Sequence, residues 1–242
     1  MKELRERLVF PLDFAEAKIA LEWVDRLKPY VGVFKIGLEL FTAQGPKIVE
    51  EVKKRTEAKI FLDLKLHDIP NTIAGAVRAS VSLGVDFLTV HTLSGRKALE
   101  VAVKAAQGGL KILAVTILTS LDRGDLLELG FNGELVSEPE ELVYRLTLHA
   151  HTTGCDGVVT SAKEVSKVKE SFPHLLAVIP GIRDTVGPQD DQLRTATPYE
   201  AILRGADYLV VGRPIREAPS PEEVCEHILS QMEKALQDRN AL

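Results

Sequence analysis

Ionisable side chains lie near the ends of segments that otherwise have the composition of buried strands. Asp13, Lys35, Asp63 and Lys65 follow or interrupt short runs of Val, Ile, Leu and Phe. A buried charge is costly unless a neighbour of opposite sign compensates it, so these groups are expected to pair with one another. Carboxylates keep a nearby ammonium group protonated, and ammonium groups keep a carboxylate ionised. The pattern predicts a proton donor held beside a fixed negative charge.

The spacing of the charges in KIFLDLKLHD indicates which way they point. Successive side chains of a strand face opposite sides, so one face carries Phe61, Asp63, Lys65 and His67. We expect that face to point into the mouth of a barrel, with Asp63 and Lys65 side by side and Asp68 just beyond the strand. The alternative is an ion-pair network that only fixes the register of the strands.

Short apolar runs, most of them followed by amphipathic stretches, must position these groups. The runs cover residues 8–13, 31–37, 59–65, 86–91, 111–117, 156–160, 175–179 and 207–211. Their length and their content of Val, Ile, Leu and Phe predict buried parallel strands. Helical periodicity between them occupies residues 16–28, 46–56, 72–83, 94–106, 138–151 and 161–171.

The alternation of strands with helices predicts parallel pairing through crossover connections. Eight such units predict an α/β fold, a closed (β/α)8 TIM barrel, as a single catalytic domain over residues 1–242. About 250 residues is typical of that fold. A doubly wound open sheet is the alternative, but the first strand-to-helix turn, LDFAEA, lacks the glycine fingerprint of its dinucleotide-binding form.

The overall composition excludes several classes of protein. With 30 Lys and Arg against 35 Asp and Glu, the net charge is −5, which does not suit nonspecific binding to nucleic acid. No apolar run approaches the roughly 18 residues of a membrane span, and the amino-terminal segment lacks the pattern of a secretory signal. Two cysteines are too few for a disulfide framework. We therefore expect a cytoplasmic protein with no membrane or nucleic-acid partner.

The segments after the last two strands contain residues suited to binding a phosphate. In YLVVGRPI, Gly212 lets the backbone approach an anion closely and Arg213 can bind it through two hydrogen bonds. Barrel enzymes place phosphate sites after strands seven and eight. The long polar segment 181–198 predicts a lid or binding loop. Its candidate donors are Gly181, Arg183 and Gln192.

Other catalytic patterns are absent from the sequence. It contains no G-x-S-x-G, H-E-x-x-H or P-loop motif. The six histidines are scattered, and His67 and His91 lie nearest to the predicted site. For His91 we favour an ordinary buried polar role. No set of metal ligands and no cofactor motif is visible.

The segment DLKLHDIPNT, residues 63–72, resembles the signature D-x-K-x-x-D-I-x-N-T of the orotidine 5′-phosphate decarboxylase family. The resemblance extends along nearly the whole chain and is that of the shorter bacterial form. Further matches, in the same order, are LDF at Asp13, FKIG at Lys35, LTS at Thr119 and Ser120, PGIR at Arg183, DQ at Gln192 and GRP at Arg213.

The resemblance implies decarboxylation of orotidine 5′-monophosphate to UMP, the last step of de novo pyrimidine nucleotide synthesis, without a metal or organic cofactor. Lys65 is implied to protonate C6 of the pyrimidine, with Asp63 close to the substrate carboxylate. Lys35 and Asp68 would complete the charged network. The family also implies a homodimer, in which Asp68, Ile69 and Thr72 reach the site of the neighbouring subunit.

The same resemblance assigns the remaining contacts to the substrate. Asp13 and Lys35 would contact the ribose hydroxyls, and Thr119 and Ser120 the pyrimidine. The phosphate would be bound by Gln192, Gly212 and Arg213, and Arg183 would belong to the closing loop near it.

Two alternatives differ in the chemistry they require. A 3-keto-gulonate 6-phosphate decarboxylase or hexulose 6-phosphate synthase resembles the D-x-K-x-x-D element but uses Mg²⁺ to stabilise an enediolate. The continuation IPNT and the pairing of DDQ with GRP argue against it. The second alternative is a non-catalytic barrel that binds a nucleotide phosphate. Retention of Lys65 argues against it, since binding alone does not need a buried ammonium group between carboxylates.

Overall fold

A computed structural model describes residues 2–183 and 195–241 of the chain. Within these residues, eight parallel strands close into a barrel in sequence order, and the ring is completed by pairing of the first strand with the last. The strands are β1 (Leu8–Pro11), β2 (Val33–Gly37), β3 (Lys59–Leu66), β4 (Phe87–His91), β5 (Lys111–Val115), β6 (Gly157–Val159), β7 (Leu176–Ile179) and β8 (Tyr208–Val210). The predicted (β/α)8 TIM barrel is confirmed.

Helices connect successive strands and cover the outside of the barrel. They are α1 (Lys2–Arg5), α2 (Ala17–Leu27), α3 (Leu38–Gln44), α4 (Lys47–Lys53), α5 (Pro70–Leu83), α6 (Arg96–Ala106), α7 (Arg123–Glu128), α8 (Gly133–Ser137), α9 (Pro139–Thr152), α10 (Val165–Ser171), α11 (Pro198–Leu203), α12 (Arg213–Arg216) and α13 (Pro221–Asn240). A short 3₁₀ turn spans Thr92–Ser94. In the part of the chain described here, no helix combines the length and apolarity that crossing a bilayer requires.

The helix that follows β3 shows how local sequence sets these boundaries. Ile69 has extended backbone and Pro70 occupies the first helical position, where its missing N–H costs nothing. Gly84 ends α5 with φ of 64°, a left-handed conformation that glycine adopts without strain. Ile73 and Val77 are fully buried on the face that packs against the barrel. The start of α5 thereby holds the loop between Lys65 and Ile69 at the mouth of the barrel.

The apolar core has an inner and an outer layer. The inner layer fills the barrel and contains Val9, Val33, Phe61, Phe87, Leu113 and Val178. The outer layer lies between the strands and the surrounding helices, where alternate strand residues such as Phe10, Phe34 and Leu62 point. Because the inner layer is closed by large side chains, the charged residues lie above it, towards the carboxyl ends of the strands.

Three aspartates fasten neighbouring strands at the opposite, amino-terminal end of the barrel. Oδ2 of Asp86, just before β4, accepts a hydrogen bond from the backbone N–H of Ile60 in β3 (2.8 Å). Asp156 and Asp207, just before β6 and β8, bind the N–H groups of β5 and β7 in the same way. These carboxylates satisfy backbone donors at strand ends and therefore have a structural role.

Strand β3 departs from the regular pattern where its charged residues lie. Leu62 pairs with Leu88 and Leu66 pairs with Val90, so four steps along β3 match two along β4. Lys65 has φ of 48°, in the left-handed region that a lysine rarely occupies. The expectation of strict alternation through residue 67 is therefore wrong. The strand bulges, which turns the backbone just before the mouth of the barrel.

Candidate active site

A cavity of about 530 Å³ opens at the carboxyl-terminal end of the barrel. Its wall is partly apolar and partly charged. Of the charged groups that the sequence predicted there, all but Asp68 line it, namely Asp13, Lys35, Asp63, Lys65, Arg183 and Arg213. A barrel of this kind places its chemistry at this end, because the loops after all eight strands converge there.

Two carboxylates and two ammonium groups form a chain of alternating charge along one side of the cavity. Lys35 Nζ lies 3.3 Å from Oδ1 of Asp13 and 3.4 Å from Oδ2 of Asp63. Lys65 Nζ lies 2.8 Å from the same Oδ2 of Asp63. The predicted pairing of Asp63 with Lys65 is therefore present. Asp13 lies two residues beyond the end of β1, rather than within the strand.

Burial and charge act in opposite directions on the inner members of this chain. Burial disfavours the ammonium form of Lys35, but Asp63 and Asp13 outweigh it and hold the pKa of Lys35 above its ordinary value. Burial likewise disfavours ionised Asp63, but Lys35 and Lys65 outweigh it and lower the pKa of that carboxyl. Both groups are therefore charged at neutral pH. Asp63 is a fixed anion in contact with two cations.

A threonine that sequence reasoning missed connects the two residues of the β3 bulge. Thr89 of β4 is fully buried. Its Oγ1 accepts a hydrogen bond from the backbone N–H of Lys65 (2.8 Å) and donates one to Oδ1 of Asp63 (2.9 Å). In the sequence, only its hydroxyl within the apolar run FLTVH could have indicated a role in the site. That indication is weak, because threonine is common in strands.

The candidate phosphate-binding residues follow β7 and β8, and β8 is the neighbour of β1 in the ring. Gly181, Arg183, Gly212 and Arg213 all line the cavity, as predicted. A Cβ on Gly212 would lie 2.9 Å from Cγ of Pro11 in β1, so only glycine lets the turn after β8 pack this closely.

Arg216 is a further cation of the cavity wall that sequence reasoning missed. It donates a hydrogen bond to the backbone oxygen of Asp13 (3.2 Å), and its guanidinium lies 5.9 Å from the centre of the Phe14 ring.

The remaining predicted residues divide between the cavity and its surroundings. Thr119 lines the cavity beside the apolar side chains of Ile117 and Val159, whereas Ser120 is exposed and does not line it. Gln192 lies outside the described residues.

The three residues that the family resemblance assigns to a neighbouring site lie outside this chain's own cavity. Asp68, Ile69 and Thr72 are exposed at the start of α5 and do not line the cavity. Asp68 Oδ1 accepts a hydrogen bond from the backbone N–H of Ile69 (2.6 Å). The Ile69 side chain is 67% exposed.

The two histidines nearest the charged chain stack on each other. The ring centres of His67 and His91 lie 5.4 Å apart, and neither ring lines the cavity. Burial lowers the pKa of His91, helped by the neighbouring charges of His67 and Lys65. Its Nδ1 accepts a hydrogen bond from the backbone N–H of Leu93 (3.3 Å). Across residues 2–183 and 195–241, no group of three or more His, Cys, Asp or Glu is arranged to hold a metal ion.

Comparison with known proteins gives one consistent result. Residues 6–228 match the model of the family described as orotidine 5′-phosphate decarboxylase / HUMPS. The orotidine 5′-phosphate decarboxylase of Moorella thermoacetica is 44% identical over 239 residues, covering 95% of this chain and 93% of that protein. The corresponding protein of Gloeothece citriformis is also 44% identical, covering 95% of this chain and 98% of its own.

Solved structures agree with this result. The crystal structure of orotidine 5′-phosphate decarboxylase from Lactobacillus acidophilus has a TM-score of 0.80 and 34% identity to this chain, covering 93% of this chain and 98% of that one. The enzyme of the same name from Pyrococcus horikoshii OT3 has a TM-score of 0.74 at 26% identity, covering 93% and 99% of the two chains.

Proposed function

This chain belongs to the orotidine 5′-phosphate decarboxylase / HUMPS family and decarboxylates orotidine 5′-monophosphate to UMP in pyrimidine synthesis, and we propose that Lys65 supplies the proton that replaces the departing carboxylate. The contact of Lys65 Nζ with Asp63 Oδ2, at 2.8 Å, carries this proposal. It holds a proton donor beside a buried anion at the mouth of the cavity. The reaction needs such a donor at the carbon that loses CO₂.

The chemical step transfers one proton and breaks one bond. The bond between C6 and the carboxylate carbon breaks, its electron pair remains on C6, and CO₂ leaves. Lys65 Nζ gives a proton to C6 and regains one from water. A fixed ammonium group, held against the buried Asp63, stabilises the developing negative charge. Asp63 repels the substrate carboxylate and holds the Lys65 ammonium group in place through their ion pair.

The rest of the cavity binds the parts of the substrate that do not react. We assign the ribose hydroxyls to Asp13 and Lys35, with Lys35 also supporting Asp63 in catalysis. The pyrimidine is assigned to Thr119 and, as a weaker candidate because it is exposed, to Ser120. The phosphate is assigned to Arg183, Gln192, Gly212 and Arg213. Binding energy from the distant phosphate can then organise the charged side of the site.

The exposed start of α5 supports a homodimer with shared sites. Asp68, Ile69 and Thr72 are exposed and lie outside this chain's own cavity, so their side chains are accessible to a neighbouring subunit. In a twofold dimer, each chain would lend these residues to its partner's cavity. Asp68 would then complete the charged network from the neighbouring subunit.

We further propose that a single catalytic domain spanning residues 1–242 works in the cytoplasm. Cys155 and Cys225 are both free and buried. Free thiols persist in a reducing compartment.

A spectrophotometric assay with orotidine 5′-monophosphate in the presence of EDTA tests the reaction and the metal requirement together. We expect UMP to form at the same rate with the chelator as with added Mg²⁺. Activity that disappears with EDTA and returns with Mg²⁺ would instead favour a metal-dependent sugar-phosphate enzyme of the same family. Tight binding of UMP without turnover of orotidine 5′-monophosphate would favour a non-catalytic barrel.

Replacing Arg213 tests the phosphate assignment. Because a charge-assisted hydrogen bond is lost, we expect Arg213→Ala to weaken binding of UMP by about 10- to 100-fold. Binding of uridine, which has no phosphate, is expected to stay the same. Titration calorimetry with both ligands measures the difference. Equal affinity of the variant and the parent for UMP would contradict the assignment.

A further inference from the structure

Thr89 occupies a position between the two central residues of the charged chain. Its hydroxyl makes two hydrogen bonds: it accepts one from the Lys65 N–H (2.8 Å) and donates one to Asp63 Oδ1 (2.9 Å). It makes both contacts while fully buried. We infer that Thr89 is a positioning residue for the decarboxylation, which fixes Lys65 and Asp63 relative to each other without touching the substrate. This inference rests on the proposed function.

The backbone of Lys65 needs such a partner. Its φ of 48° is unfavourable for a residue with a Cβ, by about 1 to 2 kcal/mol. Regular pairing of β3 with β4 is interrupted between Leu62 and Leu66, so the ladder does not hold this segment. The hydrogen bond to Thr89 Oγ1 anchors the Lys65 N–H within that interruption. Without it, the segment is free to relax towards extended backbone, which would turn the Lys65 side chain away from its present direction.

The second hydrogen bond of Thr89 gives the two carboxylate oxygens of Asp63 different partners. Oδ2 faces both ammonium groups, at 2.8 Å from Lys65 Nζ and 3.4 Å from Lys35 Nζ. Oδ1 accepts from the Thr89 hydroxyl. A carboxylate held at both oxygens cannot rotate about its terminal bond. The position of the Lys65 ammonium is therefore set twice by Thr89, once through the backbone and once through Asp63.

Other buried threonines near the site do not have this arrangement. Thr92 Oγ1 donates to the backbone oxygen of Val115 (2.8 Å), and Thr116 Oγ1 donates to that of Val159 (3.0 Å). Those hydroxyls join one part of the sheet to the next. Thr92 lies three residues from Thr89 and is also buried, at 2% exposure against 0% for Thr89. It is a matched control for the loss of a buried hydroxyl.

The test compares Thr89→Val, Thr89→Ser and Thr92→Val in the full-length protein, by kcat and KM for orotidine 5′-monophosphate and by thermal midpoint. We expect Thr89→Val to lower kcat by about 100-fold with little change in KM, since misplacement of a catalytic group by 1 Å has an effect of this size. Thr89→Ser keeps the hydroxyl and should stay within about threefold of the parent kcat. Thr92→Val should lower the thermal midpoint and leave kcat unchanged.

Three results would overturn the inference: a parent-like kcat for Thr89→Val, equal losses of kcat in Thr89→Val and Thr92→Val, or a serine variant as slow as the valine variant. If Thr89→Val does not fold, Thr89→Ala is judged by the same criteria, since it also lacks the hydroxyl that binds Lys65 N–H and Asp63. A parent protein that fails to convert orotidine 5′-monophosphate contradicts the proposed function itself. An active parent with an equally active Thr89→Val contradicts only the role of Thr89.

Discussion

Lys65→Ala should bind UMP and fail to decarboxylate orotidine 5′-monophosphate. We expect kcat to fall by at least about 10⁴-fold, because the variant loses both the proton donor and the cation that stabilises negative charge on C6. Binding of the product should remain measurable, since the phosphate and ribose contacts are untouched. Single-turnover kinetics and titration calorimetry measure the two quantities separately.

The control for this variant lies on the same strand at the opposite end of the barrel. Lys59 begins β3 and pairs with Glu6 at 3.5 Å, far from the cavity mouth. Lys59→Ala should therefore retain the parent kcat. Turnover at the parent rate in Lys65→Ala would show that another group donates the proton.

The same variant also tests whether the sites are shared between subunits. Lys65→Ala and Asp68→Ala should each be inactive alone. After mixing and subunit exchange, each mixed dimer would contain one site with both native residues. Random assortment then restores about a quarter of the parent activity. No recovery, after exchange of labelled subunits has been demonstrated, would mean that Asp68 acts within its own chain.

Asp63→Asn should damage both catalysis and stability. The amide removes the anion between Lys35 and Lys65, whose Nζ atoms both lie within 3.4 Å of Asp63 Oδ2. We expect kcat to fall by about 10³-fold because the ammonium groups are no longer held together. The free energy of unfolding should fall by about 3 kcal/mol, because two cations are left without their shared partner. Steady-state kinetics and denaturant unfolding give both values.

The pH dependence of unfolding gives Asp63→Asn a second, independent measurement. The pKa of Asp63 is lowered from 3.8 in the folded protein, after the cost of burial is outweighed by Lys35 and Lys65. Its ionised form therefore stabilises the fold above pH 3.8, and this contribution is lost as the pH falls through the lower, folded-state pKa. The asparagine variant should lack that part of the acid sensitivity. An unchanged acid transition would contradict the ionised state assigned to Asp63.

Asp86→Asn is the matched control for this substitution. Asp86 accepts a hydrogen bond from Ile60 N–H at the amino-terminal end of the barrel, and an asparagine oxygen can accept the same bond. Its kcat should equal that of the parent. A loss in both variants would mean that general weakening of β3 and β4, rather than the charge on Asp63, lowers the rate.

The charged side of the site could be predicted because ionisable residues are conspicuous in apolar strands. Asp63 and Lys65 interrupt KIFLDLKL, and Lys35 interrupts VGVFKIG. Charged residues in such apolar runs were enough to predict that these groups pair in one site. Strand periodicity also indicated that they face inward. It could not indicate the bulge, because periodicity assumes regular backbone and no glycine marks the left-handed residue at position 65.

The contacts that cross between elements were the least predictable. Thr89 is separated from Lys65 by 24 residues and has a common residue type, so nothing local connects it with the site. Thr119 and Ser120 are adjacent hydroxyl residues, and only the course of the chain after β5 decides that Thr119 faces the cavity. Arg216 was missed for the same reason, since its place on the wall depends on how α12 packs beside β1.

The pairing of β1 with β8, through Leu8 with Leu209 and Val9 with Val210, also has a kinetic consequence. The charged chain lies at the carboxyl ends of β1, β2 and β3, whereas the arginines follow β7 and β8, so the two halves of the cavity meet across this seam. A refolding intermediate with an open sheet could form either half but could not bring them together. In a dimer with shared sites, recovery of activity would then require both ring closure and association of two subunits, and its delay behind the return of helical signal would report the slower of these two steps.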